Sequence, residues 1–200
     1  LKVAPFRELR VALLQSRLPG LKPELIKKTV DVTRAKLADI GAKLVRQKVC
    51  KHDELDIAIR VELARKGCDV VLVIGASAIV DSRDEIPRAI LEYGGEIVRF
   101  GMPVDPGNLT LLARFRHIHV IGLPGSARSP RLHGSDYILR RIAAGIEVTA
   151  DDITRMGVGG LLKEISSRPM PRARAAPAPA APPPIAALGL AAGTSRRMGW

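Results

Sequence analysis

A chain of 200 residues with 46% hydrophobic and only 3% aromatic content suits a globular domain with appendages, its core built from Val, Ile, Leu and Ala. The net charge of +12 divides into +7 up to Glu164 and +5 beyond it, and the interspersed charge of the body with so few stacking aromatics argues against nucleic-acid binding and leaves a solvated basic surface or a phosphorylated small ligand. No apolar run reaches the roughly 18 residues of a membrane span and no signal peptide is evident, so a cytoplasmic location is expected.

The first predicted strand covers residues 10–15, RVALLQ. After the loop LPGLKP, Pro23 suits the first turn of a helix running to about residue 40. Leu25, Ile26, Val30, Val32, Leu37 and Ile40 would form its broad apolar stripe, and Gly41 would end it. Residues 42–49 form a second strand. Asp53 is a plausible N-cap for a helix reaching about Lys66, closed by Gly67. DVVLVI, residues 69–74, is almost uniformly apolar and β-branched, the pattern of a central parallel strand covered on both faces.

The loop GASAIVDSRD, residues 75–84, leads into a helix from about Glu85 to Glu92, broken by Gly94-Gly95. EIVRFGMPV, residues 96–104, reads as a fourth strand and DPGN, residues 105–108, as a turn. Residues 109–115 are short and ambiguous. HIHVIGL, residues 117–123, is another buried strand, and a helix from about Pro130 to Ala144 stops at Gly145. The alternation predicts an α/β fold, a three-layer sandwich with helices on both faces of a mostly parallel sheet. Ligands in such sheets bind beyond the carboxyl ends of the strands. The loops after Ile74 and after Leu123, the two richest in Gly, Ser and charge, lie at those ends.

In the first of these loops, Gly75, Ala76, Ser77 and Ala78 allow backbone to approach a ligand. Asp81 and Asp84 are candidate Mg²⁺ ligands, since that ion prefers oxygen and bridges to substrate phosphates. Arg83 can pair with phosphate, and Asp84 is equally a candidate cap for the helix that follows. In GLPGSARSP, Pro124, Gly125 and Ser126 offer amides and a hydroxyl to an anion, with Arg128 and Ser129 adding donors. Pro106-Gly107 alone is an ordinary turn signal. His117, His119 and His133 form no ligand spacing and are expected at the surface. Cys50 and Cys68 are too far apart for a metal or redox motif and read as buried, reduced thiols. There is no G-x-S-x-G and no convincing Ser/His/Asp arrangement to support hydrolase chemistry.

GASAIVD, GMPVDPGN and GLPGSARS, in this order on this α/β pattern, resemble the MoaB/Mog molybdopterin-binding fold over about Arg10 to Ile165. The resemblance implies that Asp81, which stands at the aspartate of the family's G-G-x-S/G-x-G-D motif, assists magnesium and substrate. It likens Arg83-Asp84 to the Arg-Asp pair of the adenylyltransferase branch. It places Leu123 to Ser126 along the pterin and its phosphate, with Pro106, Gly107 and Asn108 beside the same pocket. The chain departs from the family at Ala76 and Val80, where glycine is usual, and at Ala127, where proline is usual. Asp105 and Asn108 stand where the molybdenumtransferase branch often carries lysines.

After Ile165 the chain turns Pro/Ala-rich and loses all acids, so residues 166–184 read as an extended linker. The ending LGLAAGTSRRMG resembles the opening loop of MobA/MocA-like nucleotidyltransferases, which grips a nucleoside triphosphate. Residues 185–200 would then be the first strand and loop of such a domain, truncated, with Ala192, Gly193, Ser195, Arg197, Met198 and Gly199 on the nucleotide. Residues 1–9 would end a preceding segment, and 10–165 would form the molybdopterin-binding domain.

The whole is similar to bacterial fusion proteins of molybdenum cofactor biosynthesis. The resemblance implies molybdopterin as ligand, free, adenylylated or molybdenum-loaded. It implies Mg²⁺ and ATP if the domain transfers adenylyl, or else molybdate insertion, and CTP or GTP for the second domain. Relatives assemble as trimers or dimers, so a homo-oligomer is expected. The rival expectation is a non-catalytic module that holds the cofactor and passes it across the linker.

Overall fold

A computed structural model describes residues 3–76 and 79–162, which belong to the compact unit Leu1–Glu164. The predicted linker and the nucleotidyltransferase-like ending lie outside the described residues, and so does Ser77.

Six strands form one sheet: β1 (Arg10–Arg17), β2 (Lys43–Lys51), β3 (Val70–Ile74), β4 (Gly95–Phe100), β5 (Leu111–Phe115) and β6 (Ile118–Leu123). Five main helices accompany them: α1 (Pro23–Ala38), α2 (Glu54–Arg65), α3 (Glu85–Glu92), α4 (Gly134–Ala143) and the short α5 (Ala150–Thr154). The strand order is β2-β1-β3-β6-β5-β4. β1 pairs in parallel with β2 and β3, and β3 pairs in parallel with β6. β5 runs antiparallel to both β6 and β4, so five of the six strands point the same way.

The period of two along each strand sorts its side chains into two cores. Val11, Leu13, Val70, Leu72, Ile74, Ile121 and Leu123 face α1, α4 and α5. Ala12, Leu14, Val71, Val73 and Val120 face α2 and α3, which contribute Ile57, Val61, Ile86 and Ile90. The three-layer architecture expected from the chain order is therefore present. Leu72 is 1% exposed at the centre of the first core. Leu72→Ala would leave a cavity there, and denaturant unfolding should show a loss of about 3 kcal/mol.

Several predicted boundaries shift, each for a local reason. β4 stops at Phe100 because Gly101 turns to a φ of +76° and donates its N–H to the Thr110 carbonyl, closing a loop before β5. The ambiguous stretch becomes β5 because it has partners on both sides. α4 begins at Gly134 rather than Pro130, since residues 125–128 form a separate 3-10 turn and His133 caps the helix. α5 and the 3-10 turn at Arg155–Gly157 have no counterpart among the predicted elements. The stripe on α1 holds in part: Leu37, and Ile40 just beyond the helix, are buried and Val30 packs against them, but the other buried positions of the helix are Thr29 and Thr33, while Leu25, Ile26 and Val32 are only partly covered. No helix among the described residues is long and apolar enough to cross a membrane.

Candidate functional site

The register of the sheet brings three loops to one rim. Ile74 of β3 pairs with Leu123 of β6, Gly122 with Leu111 of β5, and Leu111 with Phe100 of β4. The chain segments 75–84, 101–110 and 124–129 leave or enter the sheet side by side at its carboxyl edge, as the position of ligand sites in such sheets requires.

Arg128 ties two of these loops together. Its Nη2 donates to the Gly75 carbonyl at 3.1 Å. The side chain is half-buried, and burial lowers its pKa from the usual guanidinium range. Its Nε is wholly buried with no hydrogen-bond partner. Thr110 Oγ1, at the start of β5, is the other such buried side-chain atom among the described residues. Native proteins rarely leave buried donors unmade, and such orphans gather at functional sites.

Pro124 is buried, while Gly125 and Ser126 open the 3-10 turn and are exposed. Ala127 donates its N–H to the Pro124 carbonyl and Ser129 to that of Ser126. The amides at the start of such a turn have no partner within it, which suits an anion. Pro106-Gly107 packs against the start of α4: the Pro106 carbonyl accepts from Gly134 N–H at 2.9 Å. Asn108 is exposed and accepts through its carbonyl from Met102 N–H.

The acidic loop is arranged differently from expectation. Asp84 sits at the N-cap position of α3 but makes no side-chain bond to the helix. Its Oδ2 accepts instead from the N–H groups of Val80 and, at 3.1 Å, Asp81. Asp81 Oδ1 accepts from Arg83 N–H at 2.6 Å. Both carboxylates thus fold their own loop, with Asp81 and Arg83 exposed. No group of three or more His, Cys, Asp or Glu among the described residues is placed to hold a metal. The arrangement fits Mg²⁺ only where a substrate's phosphate oxygens complete the shell around one of these carboxylates, the ion's usual habit.

Two hydrogen-bonded chains escaped sequence reasoning. Ser16 Oγ lies 2.8 Å from His52 Nδ1, and His52 Nε2 lies 3.3 Å from Glu85 Oε2. This is the Ser/His/acid line that the sequence did not disclose. Ser16 is completely buried and accepts from Ala76 N–H at 3.3 Å, so it anchors the start of the 75–84 loop rather than meeting a substrate.

The second chain joins Ser126, His133 and Ser135. Ser126 Oγ is 3.0 Å from His133 Nε2, and His133 Nδ1 is 2.8 Å from Ser135 Oγ. The surface placement expected of the histidines holds for His117, but His119 is half-buried and His133 is 1% exposed. The H-x-x-D spacing of His133 and Asp136 was the available signal: it is the capping box of α4. Cys50 and Cys68 are buried free thiols, as expected, and burial pushes Cys50 up to about 12.

Burial, and after it the Lys36 ammonium, pulls the His133 ring down to about 4 against the opposing pull of Asp136 and Asp105. The unfolded chain would titrate this ring near 6.5. Between those values the unfolded state binds the extra proton, so stability is present in full above about pH 6.5 and falls toward pH 4. The loss from this group is on the order of 3 kcal/mol. Denaturant unfolding across that window should therefore show a shallower pH slope in His133→Asn than in the wild type.

The fold is an α/β domain whose carboxyl rim carries two buried side-chain atoms without hydrogen-bond partners among the described residues. A family model described as "Probable molybdopterin binding domain" matches residues 27–144, and the chain belongs to that family. Among solved structures, "Molybdenum cofactor biosynthesis protein B" is 18% identical, with a TM-score of 0.50 over 68% of this chain and 92% of that one, a likeness of fold. The molybdopterin biosynthesis enzyme MoaB of Thermus thermophilus is 17% identical, with a TM-score of 0.48 over 68% of this chain and 97% of that one. The molybdopterin biosynthesis MoeA protein of Pyrococcus horikoshii is 23% identical, with a TM-score of 0.45 over 60% of this chain. The chain spans about 30% of the length of that MoeA protein. No curated protein sequence matches.

Proposed function

We propose that the rim binds molybdopterin through its phosphate, as a step in molybdenum cofactor biosynthesis. The observation that carries this reading is Arg128: a half-buried cation whose Nε lacks an acceptor, set between the Gly75 loop and the exposed Gly125-Ser126 amides. A phosphate on the rim would offset the charge of this partly desolvated guanidinium. Arg83, Ser129 and the Pro106-Gly107-Asn108 turn complete the wall. If the domain is catalytic, it transfers adenylyl from ATP or inserts molybdate, and Asp81, seconded by Asp84, holds Mg²⁺ against the substrate's phosphates. Stabilising charge on the transferring group is then the work of the same amides and arginines.

One observation favours a second reading, a module that holds the cofactor without chemistry. Asp81 and Asp84 each accept N–H groups of their own loop, so the acidic pair already has a structural occupation. In that reading the domain passes its cofactor across the linker to a nucleotidyltransferase that uses CTP or GTP, begun by residues 185–200. Either version acts in the cytoplasm, and assembly into a trimer or dimer accompanies both.

The test is a molybdopterin titration with Mg²⁺, run on the wild type and on Asp81→Ala. Metal-assisted binding predicts weaker affinity in the variant, followed by turnover of ATP. Equal affinity in both, with no turnover, supports the holding module. No binding by the wild type removes the pterin reading.

A further inference from the structure

The Ser126–His133–Ser135 chain contains information about protons that distances alone do not display. A backbone N–H only donates. Ser135 N–H points at His133 Nδ1 at 3.2 Å, so Nδ1 must be an acceptor and carry no proton. A neutral imidazole then keeps its single proton on Nε2. That proton faces Ser126 Oγ at 3.0 Å, so Ser126 accepts from the ring. The hydroxyl proton of Ser126 is turned away from His133, and Ser126 is exposed on the rim.

We propose that His133 is a positioning residue that turns the Ser126 hydroxyl proton outward, as a hydrogen-bond donor to an anionic oxygen on the rim. This inference rests on the reading of the rim as a phosphate site. It has two consequences. The rim then presents a directed donor to groups that accept, such as a phosphate dianion, because the Ser126 hydroxyl proton is turned away from the ring. Ser126 is also not an activated nucleophile, because the nitrogen beside it already holds a proton and cannot take another from the hydroxyl.

The site is built for this. His133 is 1% exposed, and its ring nitrogen caps α4, so the imidazole cannot rotate without uncapping the helix. A Cβ on Gly107 would lie 3.2 Å from His133 Cε1, which shows how closely the Pro-Gly turn supports the ring. Two segments of the rim, the Ser126 turn and the Gly107 turn, therefore meet the start of α4 on one imidazole.

Two measurements test the inference. Long-range ¹H–¹⁵N NMR at neutral pH reads the tautomer, with His133→Asn identifying the signal by its loss. The Nε2–H form is expected, and an Nδ1–H form overturns the proposal. The second is a double-variant cycle on binding, with inorganic phosphate and molybdopterin as probes. Asn at position 133 keeps the helix cap through its own oxygen but cannot reach Ser126, so the variant should fold. His133→Asn and Ser126→Ala should each weaken binding of both probes about tenfold, and the double variant should be no weaker than either. Losses that multiply to about a hundredfold overturn the coupling. Failure to bind molybdopterin while phosphate still binds with this coupling removes only the pterin reading. Failure to bind phosphate overturns the inference itself.

Discussion

Gly107→Ala is expected to destabilise the domain by roughly 3 kcal/mol and to reduce molybdopterin binding with it. The residue has a φ of +131°, a conformation that costs any L side chain strain. An added Cβ would also lie 2.7 Å from Gly134 N and 2.9 Å from Gly134 Cα. Those atoms are backbone at the first residue of α4, so the clash cannot be relieved by a side-chain rotation. Either the Pro106-Gly107 turn or the helix start must move. Movement of the helix start disturbs His133, and with it Ser126, which is why binding should fall alongside stability. Gly125→Ala is the control on the same rim. There the nearest atom to an added Cβ is Arg128 Nη1 at 3.4 Å, the far end of a flexible side chain, and little stability should be lost. Denaturant midpoints of the two variants, compared with the wild type, decide the point. Equal midpoints would mean that the Gly107 turn yields easily and does not support the site.

Arg128→Ala should have the opposite profile. Molybdopterin affinity is expected to fall roughly a hundredfold, the scale of a lost charged hydrogen bond in a half-buried site. The stability of the ligand-free domain should stay level or rise. The substitution removes a partly desolvated cation whose Nε has no acceptor, and sacrifices only its bond to the Gly75 carbonyl. Function kept at a cost to the empty fold is a common signature of a binding site. Arg128→Lys should recover little affinity, because an ammonium lacks the planar fork that reaches Gly75 and a ligand together. Thermal unfolding without ligand and a binding titration separate the outcomes. A variant that melts early yet binds normally would make Arg128 a structural strut.

The architecture was largely legible. DVVLVI announced a central strand because a strand covered on both faces must be apolar at every position, and β3 is buried at all five of its residues. The loops after Ile74 and Leu123 were legible as rim segments for the same reason: in a parallel sheet, chain order alone decides which end of a strand a loop leaves. The family resemblance brought Pro106-Gly107 to that rim, and the antiparallel pairing of β4 and β5 is what physically puts it there. Where the reading missed, a long-range contact had overridden a local pattern. His133 looked like a surface histidine until the Gly107 turn and the Ser126 turn closed over it. Asp84, equally a candidate cap and a candidate magnesium ligand in the sequence, stands at the N-cap position but turns its carboxylate to the N–H groups of Val80 and Asp81 within its own loop.

The division has a simple physical basis. Local sequence by itself determined what depends on periodicity, turn chemistry and chain order: the strands and helices, the layered α/β class, the glycine-rich loops and the rim on which they stand. These follow from contacts between residues near one another in the chain. Tertiary structure alone decided the hydrogen-bond partners and the burial of single polar groups. Ser16 meets His52 and Arg128 reaches Gly75 only once the sheet has brought distant loops together, and the Gly107 turn then closes on the His133 ring that lies between Ser126 and Ser135. Whether a histidine is a surface base or a buried cap depends on what packs over it, and no window of sequence around His133 contains Gly107.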